Sequence, residues 1–207
     1  MSLRSTCIAF TLALLGALAP LSAQQTLTLR GELDEGRSTG CYYCPNVPYT
    51  IKFSETPVRS SVIDLAPYQL SSQQLILTGT WDTSTRPAGF NVTAVQVVGE
   101  SLGFPTNART GATERFDING PAGTPTATFL AFGSGFVPLF GTALLLNPAV
   151  LIEIDSGVLD AQGNRRFGLP VPANAALAGL NFWTQSILVP ASGQPYFSNP
   201  GRTTIDR

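Results

Sequence analysis

Phe129 to Leu146 reads FLAFGSGFVPLFGTALLL. The stretch is long enough to raise the question of a bilayer span, which needs ~20 apolar residues. Gly133, Gly135 and Gly141 interrupt it, Pro138 stands in its middle and Pro148 follows. A helix does not run through such breakers. Apolar runs of five to eight residues cut by turn residues fit strands buried in a packed β-structure. The surroundings point the same way, since no charged residue occurs from Ile118 through Ile152. Across the chain, 20 glycines and 16 prolines argue against long helices, while 43% hydrophobic residues and a net charge of −1 argue against disorder. The expected class is all-β.

Working toward the C-terminus, Val150 to Asp155 (VLIEID) alternates, with Glu153 and Asp155 expected on one strand face. Such a pair can do acid–base work, or bind calcium with Asp160 and Asn164; a solvated outer strand accounts for it equally simply. Asp160 to Asn164 (DAQGN) reads as a turn, Arg165 to Val171 as a strand, and Ala173 to Gly179 as a connection with room for one helical turn. Leu180 to Val189 is a long strand and Arg202 to Ile205 a closing one. Gly133-Ser134-Gly135 is no dinucleotide fingerprint, because Pro138 stands where its third glycine belongs. Residues 123–207 thus read as a second β-rich domain.

Toward the N-terminus, Leu27 to Leu33 (LTLRGEL) and Tyr49 to Ser54 (YTIKFS) alternate as half-buried strands. Ser61 to Leu65 reads as a third strand, and Leu75 to Trp81 and Phe90 to Val98 as a central fourth and fifth. A helical turn fits between the third and fourth, and Gly31 and Gly79 mark sharp bends. Five strands so arranged give an OB-like barrel over residues 24–100. Residues 101–122, polar and without apolar period, read as the linker, and Asp117 to Gly120 as an ordinary turn rather than a calcium loop.

Two resemblances accompany these readings. Leu29-Arg30-Gly31-Glu32-Leu33, Thr78-Gly79-Thr80-Trp81 and Phe90 to Val98 resemble OB-like domains of exported bacterial proteins. Asp160 to Gly163, Leu169-Pro170-Val171-Pro172, Asn174 to Leu180, Phe182 to Gln185 and Ser198 to Ile205 (SNPGRTTI) resemble a C-terminal module of exported planctomycete-type bacterial proteins. That resemblance implies that residues 123–207 are a small antiparallel β-sandwich domain; it implies no activity, so it assigns no catalytic residue.

Residues 1–23 carry Arg4, an uncharged apolar run from Cys7 to Ala19, and Leu21-Ser22-Ala23, the pattern of a secretory signal peptide. The mature protein is expected in the periplasm or outside the cell, without a membrane span after the signal is removed. There Cys41 and Cys44, in CYYC, read as a disulfide. A CxxC redox centre wants a following helix, which Pro45 and the flanking strands disfavour, and zinc wants two further ligands. Tyr42, Tyr43 and Trp81 are candidate ligand-binding residues, as a platform for a sugar face. Burial is the competing explanation, with Trp81 plugging a barrel end and the tyrosines covering the loop.

The sequence has no histidine, one lysine (Lys52) and no recognisable nucleophile–base pair. The usual general base and the commonest metal ligand are therefore missing. The expectation is a non-catalytic exported protein with a structural or binding role, its partner a protein or glycan at the cell surface. No cofactor or metal is expected, and the faintly acidic balance disfavours nucleic acid. The alternatives are a lectin-like carbohydrate-binding module and a calcium-dependent hydrolase accessory protein. N-terminal sequencing of the exported protein should begin at Gln24; an intact Met1 on membrane-bound protein contradicts the signal reading.

Overall fold

The computed structural model describes residues 25–36, 48–191 and 193–207. The signal segment, Cys41, Cys44, Tyr42 and Tyr43 lie outside the described residues. The fold is all-β, with a single short α-helix among the described residues.

The first sheet contains β1 (Thr26–Gly31), β2 (Leu33–Glu35), β3 (Tyr49–Ile51), β4 (Pro57–Arg59), β5 (Leu75–Asp82) and β6 (Gly89–Val97). Pairing follows β1-β5-β6-β4-β3-β2. Only Glu32 separates β1 from β2, so this path leaves and rejoins one bent strand. β4 runs parallel to β6, and the other pairs on this path are antiparallel. Leu27, Leu29, Leu33, Ile51, Val58, Leu75, Leu77, Phe90 and Val92 are buried together inside it. The alternation of β1 sends its leucines there and leaves Thr28 and Arg30 half-buried on the other face.

Residues 61–65, expected as a strand, instead bend. The Ser60 hydroxyl donates to the Val92 carbonyl at 2.7 Å and accepts from the N–H groups of Val62 and Ile63. This turns the chain into α1 (Ala66–Ser71), where Pro67 sits in the first turn and lacks the N–H that would go unpaired there. The expected helical turn between the third and fourth strands is this helix.

Residues 101–122, expected as an aperiodic linker, hold three strands: β7 (Leu102–Gly103), β8 (Asn107–Arg109) and β9 (Thr113–Asn119). Phe116 and Ile118 of β9 alternate with Arg115, Asp117 and Asn119, so the period of two is present beneath a polar composition. β9 pairs with β7 and with β14 (Asn164–Pro170) in a three-stranded sheet. A second sheet has the order β13-β10-β15-β17-β8, from β10 (Pro125–Ala131), β13 (Ile152–Val158), β15 (Asn181–Leu188) and β17 (Gly201–Asp206), with β16 (Tyr196–Phe197) also on β15. Phe116, Ile118 and Leu102 pack against Leu130, Phe182, Leu188 and Ile205 between the two sheets.

The stretch 129–146 is resolved by a hairpin, β11 (Ser134–Leu139) with β12 (Thr142–Leu146). It lies beyond the expected domain boundary, yet it joins the first sheet. β12 runs parallel to β1, with the Thr28 N–H donating to Gly141 O at 2.9 Å and the Thr142 hydroxyl donating to Thr28 O at 2.8 Å. Ala143 and Leu145 pack into the first core, while Leu144 and Leu146 pack with Phe129, Ile187 and Phe197 of the second sheet. Both faces of β12 are thus buried. β10 is likewise covered on both sides, with Leu130 facing the three-stranded sheet and Phe129 facing the hairpin. Pro138 sits on β11, the edge strand, where its missing donor removes no ladder bond on the outer side. No helix among the described residues is long and apolar enough to cross a membrane.

Buried carboxamides tie these layers together. Gln185 accepts the Leu145 N–H at 2.7 Å and donates to the Ser198 carbonyl at 2.8 Å. Asn199 accepts the N–H groups of Ser101 and Leu102 at 3.0 and 2.9 Å and donates to Leu102 O at 2.9 Å. Truncation strands two donors and one acceptor, each costing about 1–3 kcal/mol when buried. Asn199→Ala should therefore lose about 3 kcal/mol or more in urea unfolding. A loss below ~1 kcal/mol contradicts this role.

Candidate functional site

The carboxylates singled out in the sequence do not converge. The register of β13 against β10 slips between Asp155, opposite Thr128, and Glu153, opposite Phe129. Thr128 and Phe129 are neighbours on opposite faces, so the irregularity at Ile154 sends the two carboxylates to opposite sides. Asp155 is held by both arms of the Arg165 fork at 2.7 Å, and that bond keeps the guanidinium above its ordinary pKa. Asp160 accepts the N–H groups of Gln162 and Asn164 at 2.9 and 2.8 Å and shapes its own turn. Gly163 closes that turn at φ 79°, where a Cβ would lie 2.1 Å from Gly120 O. Asp117 belongs to β9, and the Arg115 and Arg166 guanidinium groups hold its carboxyl below the usual range.

Trp81 lies at the end of β5, half-buried against the first core, with Phe136 of β11 stacked on it at 3.9 Å and 18°. One ring face is therefore occupied by the protein itself. The neighbouring Asp82 carboxyl accepts from Ser84 N–H and hydroxyl, which lowers its pKa.

A cleft of about 230 Å³ opens elsewhere, where the two core regions meet. Its walls are Glu32, Lys52 and Phe53 from the first sheet and its turns, Gln74 before β5, Glu100 after β6, and Phe104, Thr106, Asn199 and Pro200 from the second region. Glu32 is the residue between β1 and β2. Its carboxylate pairs with the Lys52 ammonium, and its carbonyl accepts the Lys52 N–H at 2.9 Å. Lys52 and Phe53 lie on a tight turn after β3. The buried Ser54 hydroxyl donates to Ile51 O at 3.0 Å and accepts from Thr56 N–H at 3.2 Å. That turn holds Phe53 at φ 66° and Glu55 at φ 56°, the left-handed region that bulky residues avoid. Phe53 is thereby set edge-on to Phe104, with ring centroids 5.5 Å apart at 89°. Phe104 in turn lies over Gly201, where an added Cβ would meet the ring at 2.6 Å. The glycine of SNPGR is thus required by a wall of the cleft.

Beside the cleft, the Arg30 guanidinium lies 4.2 Å from the centre of the Tyr196 ring and 3.5 Å from the Ser101 hydroxyl. Burial lowers its pKa and raises that of the Tyr196 hydroxyl. Glu100 stands exposed at the mouth, with no hydrogen bond or ion pair among the described residues. Partial desolvation, with the Glu32 charge added, lifts its carboxyl above the ordinary range.

None of these cleft residues was a sequence candidate. Lys52 was the available signal, as the chain's one lysine on an alternating strand. The opposing Phe104 comes from a segment read as linker. Among the described residues, no three Asp, Glu, Cys or His side chains gather to hold a metal ion. No family model matches the chain, and no curated protein matches it.

The raised Glu100 pKa fixes the sign of a pH effect. The native carboxyl holds its proton to higher pH than the unfolded one, so stability falls as pH rises through that window. Glu100→Gln should raise the Tm at pH 7, by a difference that disappears below the carboxylate range. An unchanged or lower Tm at pH 7 contradicts this partly desolvated placement beside Glu32.

Proposed function

We propose that this chain is an exported, non-catalytic binding protein of the cell envelope or exterior, and that the cleft between its two halves holds the ligand. In this reading the closed pairing path of β1 to β6 is an OB-like barrel and the second and third sheets form a β-sandwich. The observation that carries it is the cleft itself. It gathers three charged groups and two aromatic rings, and one of its walls, Phe53, is held in an unfavourable backbone conformation. Strain retained at a concave polar site supports a functional reading of it.

Binding fits this lining better than catalysis. Glu32 is neutralised by Lys52, and the site has no histidine, serine or cysteine among its walls. The aromatic sugar platform at Tyr42, Tyr43 and Trp81 is not part of this proposal: Phe136 covers one face of Trp81, and Tyr42 and Tyr43 lie outside the described residues.

The test is an NMR screen of the mature chain against short oligosaccharides, peptides and small amines. Binding should shift the amides of Lys52, Phe53, Phe104 and Thr106 with no turnover of the bound compound. Turnover, or binding that shifts only the surroundings of Trp81, contradicts the proposal.

A further inference from the structure

We propose that the cleft takes an organic monocation, a primary ammonium or guanidinium group on a short alkyl stem. The inference rests on the reading of the cleft as a ligand site and adds the class of ligand. Charge comes first. The walls carry two carboxylates, Glu32 and Glu100, and one ammonium, Lys52. Lys52 is engaged by Glu32, so one negative charge, that of Glu100, faces the cleft without an ion-pair partner among the described residues. Arg30, two residues before Glu32, does not supply the missing charge, since its guanidinium is turned to Tyr196 and Ser101.

Shape and wall chemistry narrow the choice. A volume of about 230 Å³ lies below the ~300 Å³ at which pockets for drug-sized ligands begin, which suits a side-chain-sized group. Phe53 and Phe104 offer no hydrogen-bonding group, and their perpendicular rings line the cleft with hydrocarbon. An alkyl stem suits that surface, and a cation suits the negative face of an aromatic ring. The protein already places one ammonium near Phe53, with Lys52 Nζ 5.5 Å from the ring centre. Gln74 and Thr106 add neutral polar groups at the rim. Phosphates and carboxylates are repelled by the surplus negative charge.

Two sources share this chemistry, a free alkyl amine and a lysine or arginine side chain of a peptide. The experiment titrates the mature chain by NMR with n-butylammonium and n-butylguanidinium, with 1-butanol, butyrate and maltotriose as controls. Putrescine and N-acetyl-lysine methylamide then distinguish the two sources. Both cations should saturate the shifts of Lys52, Phe53, Glu100 and Phe104. Glu100→Gln, with an otherwise native spectrum, should weaken them about tenfold or more. Butanol binding as well as butylammonium, or undiminished cation binding to Glu100→Gln, overturns the inference. Maltotriose shifting the cleft amides while the cations do not also overturns it, yet leaves the cleft standing as a ligand site. If the broader oligosaccharide, peptide and amine screen leaves every cleft amide unmoved, both readings fall.

Discussion

The architecture depends on buried carboxamides that satisfy backbone groups belonging to other layers. Gln185 links β12 to the strand connection at Ser198, and the Ser198 hydroxyl accepts the Ser186 N–H at 2.9 Å. Asn199 then holds Ser101 and Leu102, where the chain passes from the first sheet to the second region. Each group is nearly inaccessible to solvent. In so dry a setting an unpaired donor or acceptor is costly, and the pairing specifies one arrangement of the layers. Leucines at these positions would pack, but they would leave the backbone of three segments without partners.

The same junction fixes the cleft. Asn199 and Pro200 form its floor, Gly201 leaves space for Phe104, and Phe104 meets the strained Phe53 from the opposite side. The β11–β12 hairpin seals the layers elsewhere, with alternate residues in two different cores. The cleft is therefore built across parts joined by buried hydrogen bonds, and preorganisation of that kind lowers the ordering cost of holding a small ligand.

The strands were largely legible, because period-two alternation survives wherever one face is buried. β1, β5, β6, β14 and β15 follow their expected ranges within one or two residues. β9 was missed because its outer face carries Arg115, Asp117 and Asn119, and the polar count hid Phe116 and Ile118. Residues 129–146 were legible as strands but not as a bridge between layers, since burial on both faces erases alternation. Glu153 and Asp155 misled for a backbone reason, as the slip at Ile154 changes the face without leaving a trace in the side-chain pattern. The cleft was hidden because its walls come from positions as far apart as Glu32 and Pro200, which only the tertiary pairing brings together. The SNPGR segment was conspicuous as a motif, while its role at the junction needed the partners of Asn199 to be seen.

Native-state hydrogen exchange tests most directly whether the carboxamide junction makes the two regions one cooperative unit. The amides of Leu102 and Leu145, bonded to Asn199 and Gln185, should exchange with the same free energy and denaturant dependence as Leu77 and Phe116, deep in the two cores. Exchange of Leu102 and Leu145 through a lower-energy opening, while Leu77 and Phe116 stay protected, would contradict the account.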